Sequence, residues 1–431
     1  MIGFLASLMV AIFAFALMKP ATRGYRGWEK RLISYALLAH FAGALALLAV
    51  YLYYYGNGDL VRYHRLGGII AAHLSTDFGN VAPEVLALLL GTGGEGLATH
   101  GAGTSTGSME AVAAILSFLL GDSILASSIL IASGAFFGKL SIYSVLRREL
   151  SVEFHRPALI GALLVPSAVF WSGSLLKESV VMSFLGALVW GGYMLSTGRK
   201  RTIGAIALTV GVIGCALFKG YLLVPAAVAG MVWLYVRRSN KSKNVAAKPI
   251  YVLGATAAAF GLLLLIGNFN PRYDVFRAEQ QLVHEAETMG GSDGGSNYTL
   301  LDTSGPTSTA RLLLTAPWAV FTALLRPAII EARNPLSLVN GLETLVLTIM
   351  LIRVIRRRGF WASVSVIRKS PILAFCAVFT LLLAIGVGFA TTNMGTLSRY
   401  RMPLVPFFAV LLGVLGTTKQ QRSPVPSTKK K

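Results

Sequence analysis

Charge is scarce in this chain of 431 residues: acidic and basic residues make up 13% of it, while 55% are hydrophobic. Soluble domains carry about 25% charged residues, so a water-exposed globular fold is excluded and an all-α bundle of membrane-crossing helices is expected. Acids are the scarcer sign, 18 against 39 lysines and arginines, for a net charge of +21. Such an excess can mark a nucleic-acid binder, but that needs a basic face on a soluble fold, and these cations sit between apolar runs. No nucleic acid is expected as a partner. Cysteine is nearly missing too. Cys215 and Cys376 are the only two, each among apolar residues, which excludes a disulfide framework and a zinc site built from them. His73, His100 and His284 lack ligand spacing, and neither a Walker glycine loop nor a G-x-S-x-G elbow occurs. Nucleotide hydrolysis and serine esterase chemistry therefore have no support, and no internal repeat is visible between the halves.

Long apolar runs are what the chain has instead. A helix needs about 20 residues to cross a hydrocarbon core about 30 Å thick. That rule gives about eleven spans, at 2–18, 32–55, 122–146, 158–170, 178–197, 203–218, 222–237, 250–267, 336–355, 371–390 and 403–417. The first run, Met1 to Met18, has no basic stretch ahead of it and has Lys19, Arg23, Arg26, Lys30 and Arg31 behind it, the reverse of a cleavable signal. It reads as a retained helix with its amino end outside.

Eleven alternations put six basic segments on one side. Residues 19–31, 147–156, 199–201, 237–248, 353–369 and 419–431 hold 27 of the 39 cations, and the opposite side holds 15 of the 18 acids. Short Lys/Arg-rich loops stay in the cytoplasm. The expectation is a multi-pass protein of the cell (inner) membrane, amino terminus outside and carboxy terminus cytoplasmic, with membrane lipids as its surroundings. Residues 1–418 form one transmembrane domain, and 419–431 a disordered basic cytoplasmic tail.

Two outer segments are long. Residues 56–121 combine apolar positions at helical spacing, around Ile69, Ile70, Leu74 and Val85, with a Gly/Thr/Ser run at 92–108. They read as amphipathic helices lying on the membrane, followed by a mobile loop. Residues 268–335 pair the polar Gly290 to Gly295 stretch with an amphiphilic part, Leu312 to Ile330, interrupted by Pro317 and Pro327. A lid and a re-entrant or interfacial helix are expected there.

Three outer clusters could carry chemistry. Asp59 follows directly on a span in Gly56-Asn57-Gly58-Asp59-Leu60-Val61-Arg62-Tyr63-His64. A helix restarting at Asp59 would favour its charged form and put Tyr63 one turn on along the same face. Asp59 is then either a helix cap or a catalytic carboxylate. Pro166 to Glu178 reads as a tight hairpin between short spans. Lys177 and Glu178 lie at membrane depth or just outside it, either as a structural ion pair, with Trp171 as interface anchor, or as functional charges. Ser398-Arg399-Tyr400-Arg401-Met402-Pro403 breaks the charge bias of its side, and arginine offers forked donors matched to phosphate oxygens. Snorkelling to lipid phosphates is the bland alternative, and it is the preferred reading for Lys219 beside Tyr221.

With these clusters outside, the chain resembles the superfamily of polyprenyl-phosphate-dependent membrane glycosyltransferases with the fold called GT-C, of the bacterial envelope-polysaccharide type. The resemblance rests on layout over about 32–417. It also rests on the acidic segment Gly58 to His64 in the first large outer loop, on Ser398 to Pro406 near the carboxy end, and on Pro166 to Glu178. It implies Asp59 as general base toward an acceptor hydroxyl. Lys177, Arg399 and Arg401 would neutralise the phosphate leaving group, and Tyr63, His64, Glu178, Lys219 and Tyr400 would complete the substrate site. The implied partners are a polyprenyl-phosphate-linked sugar donor and a glycan, lipid or protein acceptor. No cofactor is expected; a divalent metal serves some members, but no paired-acid motif is present here to hold one. The acidic loop follows the second span, not the first, which implies an added amino-terminal helix. A polymerase or ligase using lipid-linked oligosaccharide, and a lipid-linked sugar flippase or other transporter, are the competing readings.

Overall fold

The structure, a computed structural model, describes residues 2–241, 309–391 and 393–417. The expected span at 250–267, the Gly290 to Gly295 stretch, His284 and the tail at 419–431 lie outside the described residues. Seventeen α-helices follow one another among those described, with no strand. They are α1 (Ile2–Ala21), α2 (Gly27–Ala49), α3 (Asp59–Thr76), α4 (Phe78–Leu90), α5 (Ser105–Leu120) and α6 (Ile124–Glu149). Next come α7 (His155–Leu163), α8 (Pro166–Phe170), α9 (Lys177–Thr197), α10 (Arg201–Lys219), α11 (Leu223–Lys241) and α12 (Thr309–Leu325). The last five are α13 (Pro335–Arg358), α14 (Phe360–Lys369), α15 (Pro371–Ala390), α16 (Met394–Tyr400) and α17 (Val405–Gly416).

Seven of the described helical runs are long and apolar enough to cross a membrane, or eight if α16 and α17, bent by 72°, count as one broken span. Phe4, Met9 and Phe13 on α1 and Val339, Val346 and Ile349 on α13 are exposed. In water such faces would be a liability, but against lipid tails they carry no penalty. The chain is a multi-pass helical membrane protein. Eleven spans are not reached among the described residues, and beyond the run Arg201–Asn240, which takes in both the 203–218 and the 222–237 spans, there are two reasons. The segment at 158–170 is no single span: α7 and α8 are short pieces separated at Leu164 and Val165, where Pro166 takes the first position of the new helix. The other missing span is the one outside the described residues.

One qualifying run, Arg201–Asn240, holds 40 residues and doubles back at Gly220 to Leu222. Lys219 lies 2.7 Å from Glu178 at the start of α9. Arg237 lies 2.7 Å from Glu149, over Tyr193 near the end of α9. Fifteen residues of α9 separate these levels, roughly 22 Å at 1.5 Å per residue, so α10 rises and α11 returns.

α6 is the central helix, packed against α1, α2, α7 and α9. Its crossing with α9 is built on glycine: a Cβ on Gly186 would stand 2.2 Å from the Gly138 carbonyl oxygen. Small residues at such a crossing let two backbones touch, which is how helices associate where lipid removes the hydrophobic drive. α3, α4 and α5 pack on one another around Ile70, Leu74, Val85, Leu88, Leu97 and Ala114. The amphipathic helices expected at 56–121 are present, but the run expected to be mobile is not loose. Residues 105–108 form the first turn of α5, Leu97 is buried, and Thr99 donates to the buried Glu110 carboxylate. α12 continues through Pro317 instead of stopping there.

Basic residues gather at one end of the bundle. Arg147 Nε is 2.7 Å from Glu29, which also accepts from Tyr143 at 2.6 Å, while Arg148 lies over Tyr193. Arg358 donates to the Leu415 carbonyl at the foot of α17. The opposite end carries the starts of α3 and α9, the end of α10 and the end of α16.

Candidate functional site

At that opposite end, four chain segments bring their charged residues together. α3 starts at Asp59 after Gly58, whose φ of 118° only glycine adopts easily and whose missing side chain leaves room for the Tyr51 ring. Gly58 occupies the cap position, so Asp59 is not the cap. Its side chain, about a third exposed, turns instead to Arg399, 2.8 Å away, and to Arg62 at 3.2 Å. Arg399 Nε lies 2.9 Å from the second carboxylate, Glu178, which is fully buried in the first turn of α9. The other oxygen of Glu178 faces Lys219 at 2.7 Å.

Lys219 is only 5% exposed, donates to the Tyr221 hydroxyl at 3.0 Å and lies 3.9 Å from the Tyr400 ring centroid. This corrects the snorkelling reading. A buried ammonium is retained here because a carboxylate, a phenol oxygen and a π-face all receive it. Of the two readings of Lys177 and Glu178, the structural ion pair is absent: neighbours at a helix start point apart, and Lys177 donates to Ser105 Oγ at 3.0 Å and Thr106 Oγ1 at 2.9 Å. Trp171, read as an interface anchor, is buried.

Asp59, Lys177, Glu178, Lys219, Arg399 and Tyr400 thus gather at one place. Tyr63 lies one turn from Asp59 and is buried; burial, with the Asp59 carboxylate adding to it, raises its hydroxyl well above the usual phenol range, so it stays protonated. His64 turns elsewhere, with Nδ1 3.8 Å from Asp122. Burial lowers its imidazole below the ordinary value, against the opposing pull of Asp122. Arg401 leaves the cluster too. It is fully buried and donates to the Arg326 carbonyl at 2.6 Å and Thr344 Oγ1 at 3.0 Å, with Glu343 at 3.8 Å. A role for Arg401 on the phosphate is therefore withdrawn.

Sequence reading missed Arg62, Ser105, Thr106 and Tyr221 as members of the cluster. The serine and threonine had one signal, their place after Gly101 to Thr104 and before an apolar helical run, which marks a helix start. No group of three or more metal-ligating side chains occurs among the described residues.

Two carboxylates and four cations, Arg62, Lys177, Lys219 and Arg399, make a site with an excess of positive charge. Arg399 pairs with both carboxylates and Lys219 with Glu178, while Lys177 has hydroxyl partners and no carboxylate in ion-pair contact among the described residues. Such an arrangement can hold an oxyanion and present one partly exposed carboxylate beside it. Comparison with protein-family models, with curated proteins and with solved structures finds no match for this chain.

Proposed function

We propose that the protein transfers a sugar from a polyprenyl-phosphate-linked donor to an acceptor hydroxyl, with Asp59 as general base and Lys177, Lys219 and Arg399 as the cations that receive the phosphate. The observation that carries this reading is the joining of Asp59 to Glu178 through Arg399, with Lys219 and Lys177 beside them, at the end of the bundle away from the basic segments. By the positive-inside rule that end faces away from the cytoplasm, which puts the reaction at the outer face of the cell membrane.

Asp59 at rest is tied to Arg399, so the oxygen it would offer an acceptor is already taken. A donor phosphate competes for the same guanidinium and, by drawing Arg399 off, releases Asp59 beside the incoming acceptor. The carboxylate then takes the proton of the acceptor hydroxyl while that oxygen bonds the anomeric carbon from the face opposite the phosphate. The bond from that carbon to the phosphate oxygen breaks, its electron pair leaves with the phosphate, and configuration inverts. Fixed ammonium and guanidinium groups meet the charge that develops on the leaving oxygen. Glu178, buried and ion-paired with both Arg399 and Lys219, orients them and does not itself need to touch substrate. Transfer of a lipid-linked oligosaccharide by a polymerase or ligase would use the same parts.

The test is transfer from a panel of polyprenyl-phosphate sugars by purified protein. Asp59→Asn, folded as the wild type, is expected to lose about 10²–10⁴-fold in rate; undiminished transfer by that variant removes Asp59 from the role.

A further inference from the structure

Two charged side chains outside the cluster hold the ends of α8. Glu343, on α13, accepts from the Ser167 amide and from the Ser167 hydroxyl, each at 2.6 Å. Lys139, on α6, donates to the Ala168 carbonyl at 2.6 Å and to Ser172 Oγ at 2.8 Å, and its Nζ is 3.0 Å from His40 Nε2. A carboxylate therefore faces the amide end of this five-residue helix and an ammonium its carbonyl end, the arrangement the helix dipole favours.

Glu343 reaches a second segment as well. Arg401 Nη2 is 3.8 Å from its Oε1, and the same guanidinium is tied to Thr344 and the Arg326 carbonyl. Segments 166–178 and 394–401 are consequently joined twice: in the charged cluster by Glu178 with Arg399, and below it by Glu343 through Ser167 and Arg401. The chain between α8 and α9 is held in one path. Ser174 has a φ of 70° and is fixed by a 2.7 Å bond to Ser128. A Cβ on Gly173 would stand 2.6 Å from Ala44 Cα. A backbone in that region persists where its surroundings over-determine it. Charges buried at this depth are costly and carry function more often than chance.

We infer that Glu343 is a positioning residue, setting the register between the segment that delivers Lys177 and Glu178 and the segment that delivers Arg399. Its kinetic consequence rests on the transfer reading, whereas its geometric consequence does not. The test uses the full-length protein in lipid nanodiscs, with the buried pair replaced as a unit by Glu343→Leu and Arg401→Met, because apolar replacement of a buried ion pair commonly preserves stability. The folded double variant is expected to lose about 100-fold in kcat with donor KM little changed, as for displacement of a reacting group by an ångström. Independently, acetylation of Lys177 by an N-hydroxysuccinimide ester, read by peptide mass spectrometry, is expected to run several-fold faster once its Ser105 and Thr106 partners are out of register. Ser167→Ala, which removes one bond to Glu343 and leaves every ion in place, is the milder variant and is expected to move both readouts in the same direction. Wild-type kcat together with wild-type Lys177 labelling in these variants overturns the inference. Should the wild-type protein transfer no polyprenyl-phosphate sugar, the transfer reading falls on its own and Lys177 labelling alone decides the positioning role.

Discussion

Arg399 pairs with two carboxylates at once, hydrogen-bonding Asp59 through Nη1 at 2.8 Å and standing in ion-pair contact with Glu178, its Nε 2.9 Å away. The two acids differ in setting: Asp59 is partly exposed, and Glu178 is sealed between Arg399 and Lys219. A guanidinium can divide itself in this way because its donors form a planar fork; an ammonium is a point charge.

Glu178→Gln leaves Lys219 and Arg399 facing a neutral amide in a buried place. Breaking a buried pair from one side costs about 3–5 kcal/mol, so thermal unfolding in detergent is expected to show a clear drop in Tm. A variant that melts with the wild type would mean that this carboxylate does not stabilise its two cations.

Gly186→Val drives a branched side chain into the Gly138 carbonyl and forces α6 away from α9. Overpacking of this kind costs about 1–3 kcal/mol or more. Gly192 supplies the control, since a Cβ there meets nothing within 4 Å and Gly192→Ala should be tolerated. Equal melting of the two variants would contradict the close crossing.

Stability should also depend on pH through His64. Burial holds its folded value below the ordinary imidazole value of about 6.5 despite Asp122. The unfolded chain therefore binds more protons in that window. The contribution of His64 is present above the unfolded value and is lost as pH falls from there through the depressed folded one. Wild-type Tm is expected to fall more steeply than that of His64→Gln between neutral pH and pH about 5; parallel curves would exclude the effect.

Much of the bundle was legible because lipid imposes length and hydropathy on every crossing helix, and α1, α2, α6, α9, α13 and α15 fall where the apolar runs predict them. The break between α7 and α8 was not. Its cause is a capped five-residue helix whose partners, Glu343 and Lys139, lie 176 and 29 residues away in the chain. In the cluster, Asp59, Lys177, Glu178 and Arg399 stood out as charges where charge is costly. The separate paths of Arg399 and Arg401 could not be read from neighbouring positions, because the turn after α16 sends one side chain to Asp59 and the other to Arg326 and Thr344.

The sequence by itself determined that this is a helical membrane protein, that its cations sort to one set of loops, and which few charges stand out from apolar surroundings. These are properties of composition and period, and the solvent enforces them locally. Tertiary structure alone decided which charges meet. The pairing of Arg399 with Asp59 spans 340 residues, and the close approach of α6 to α9 and the clamps on α8 set where each helix end comes to rest. Coulomb attraction and hydrogen bonding act over a few ångströms, so only the packed arrangement could turn scattered charges into one site.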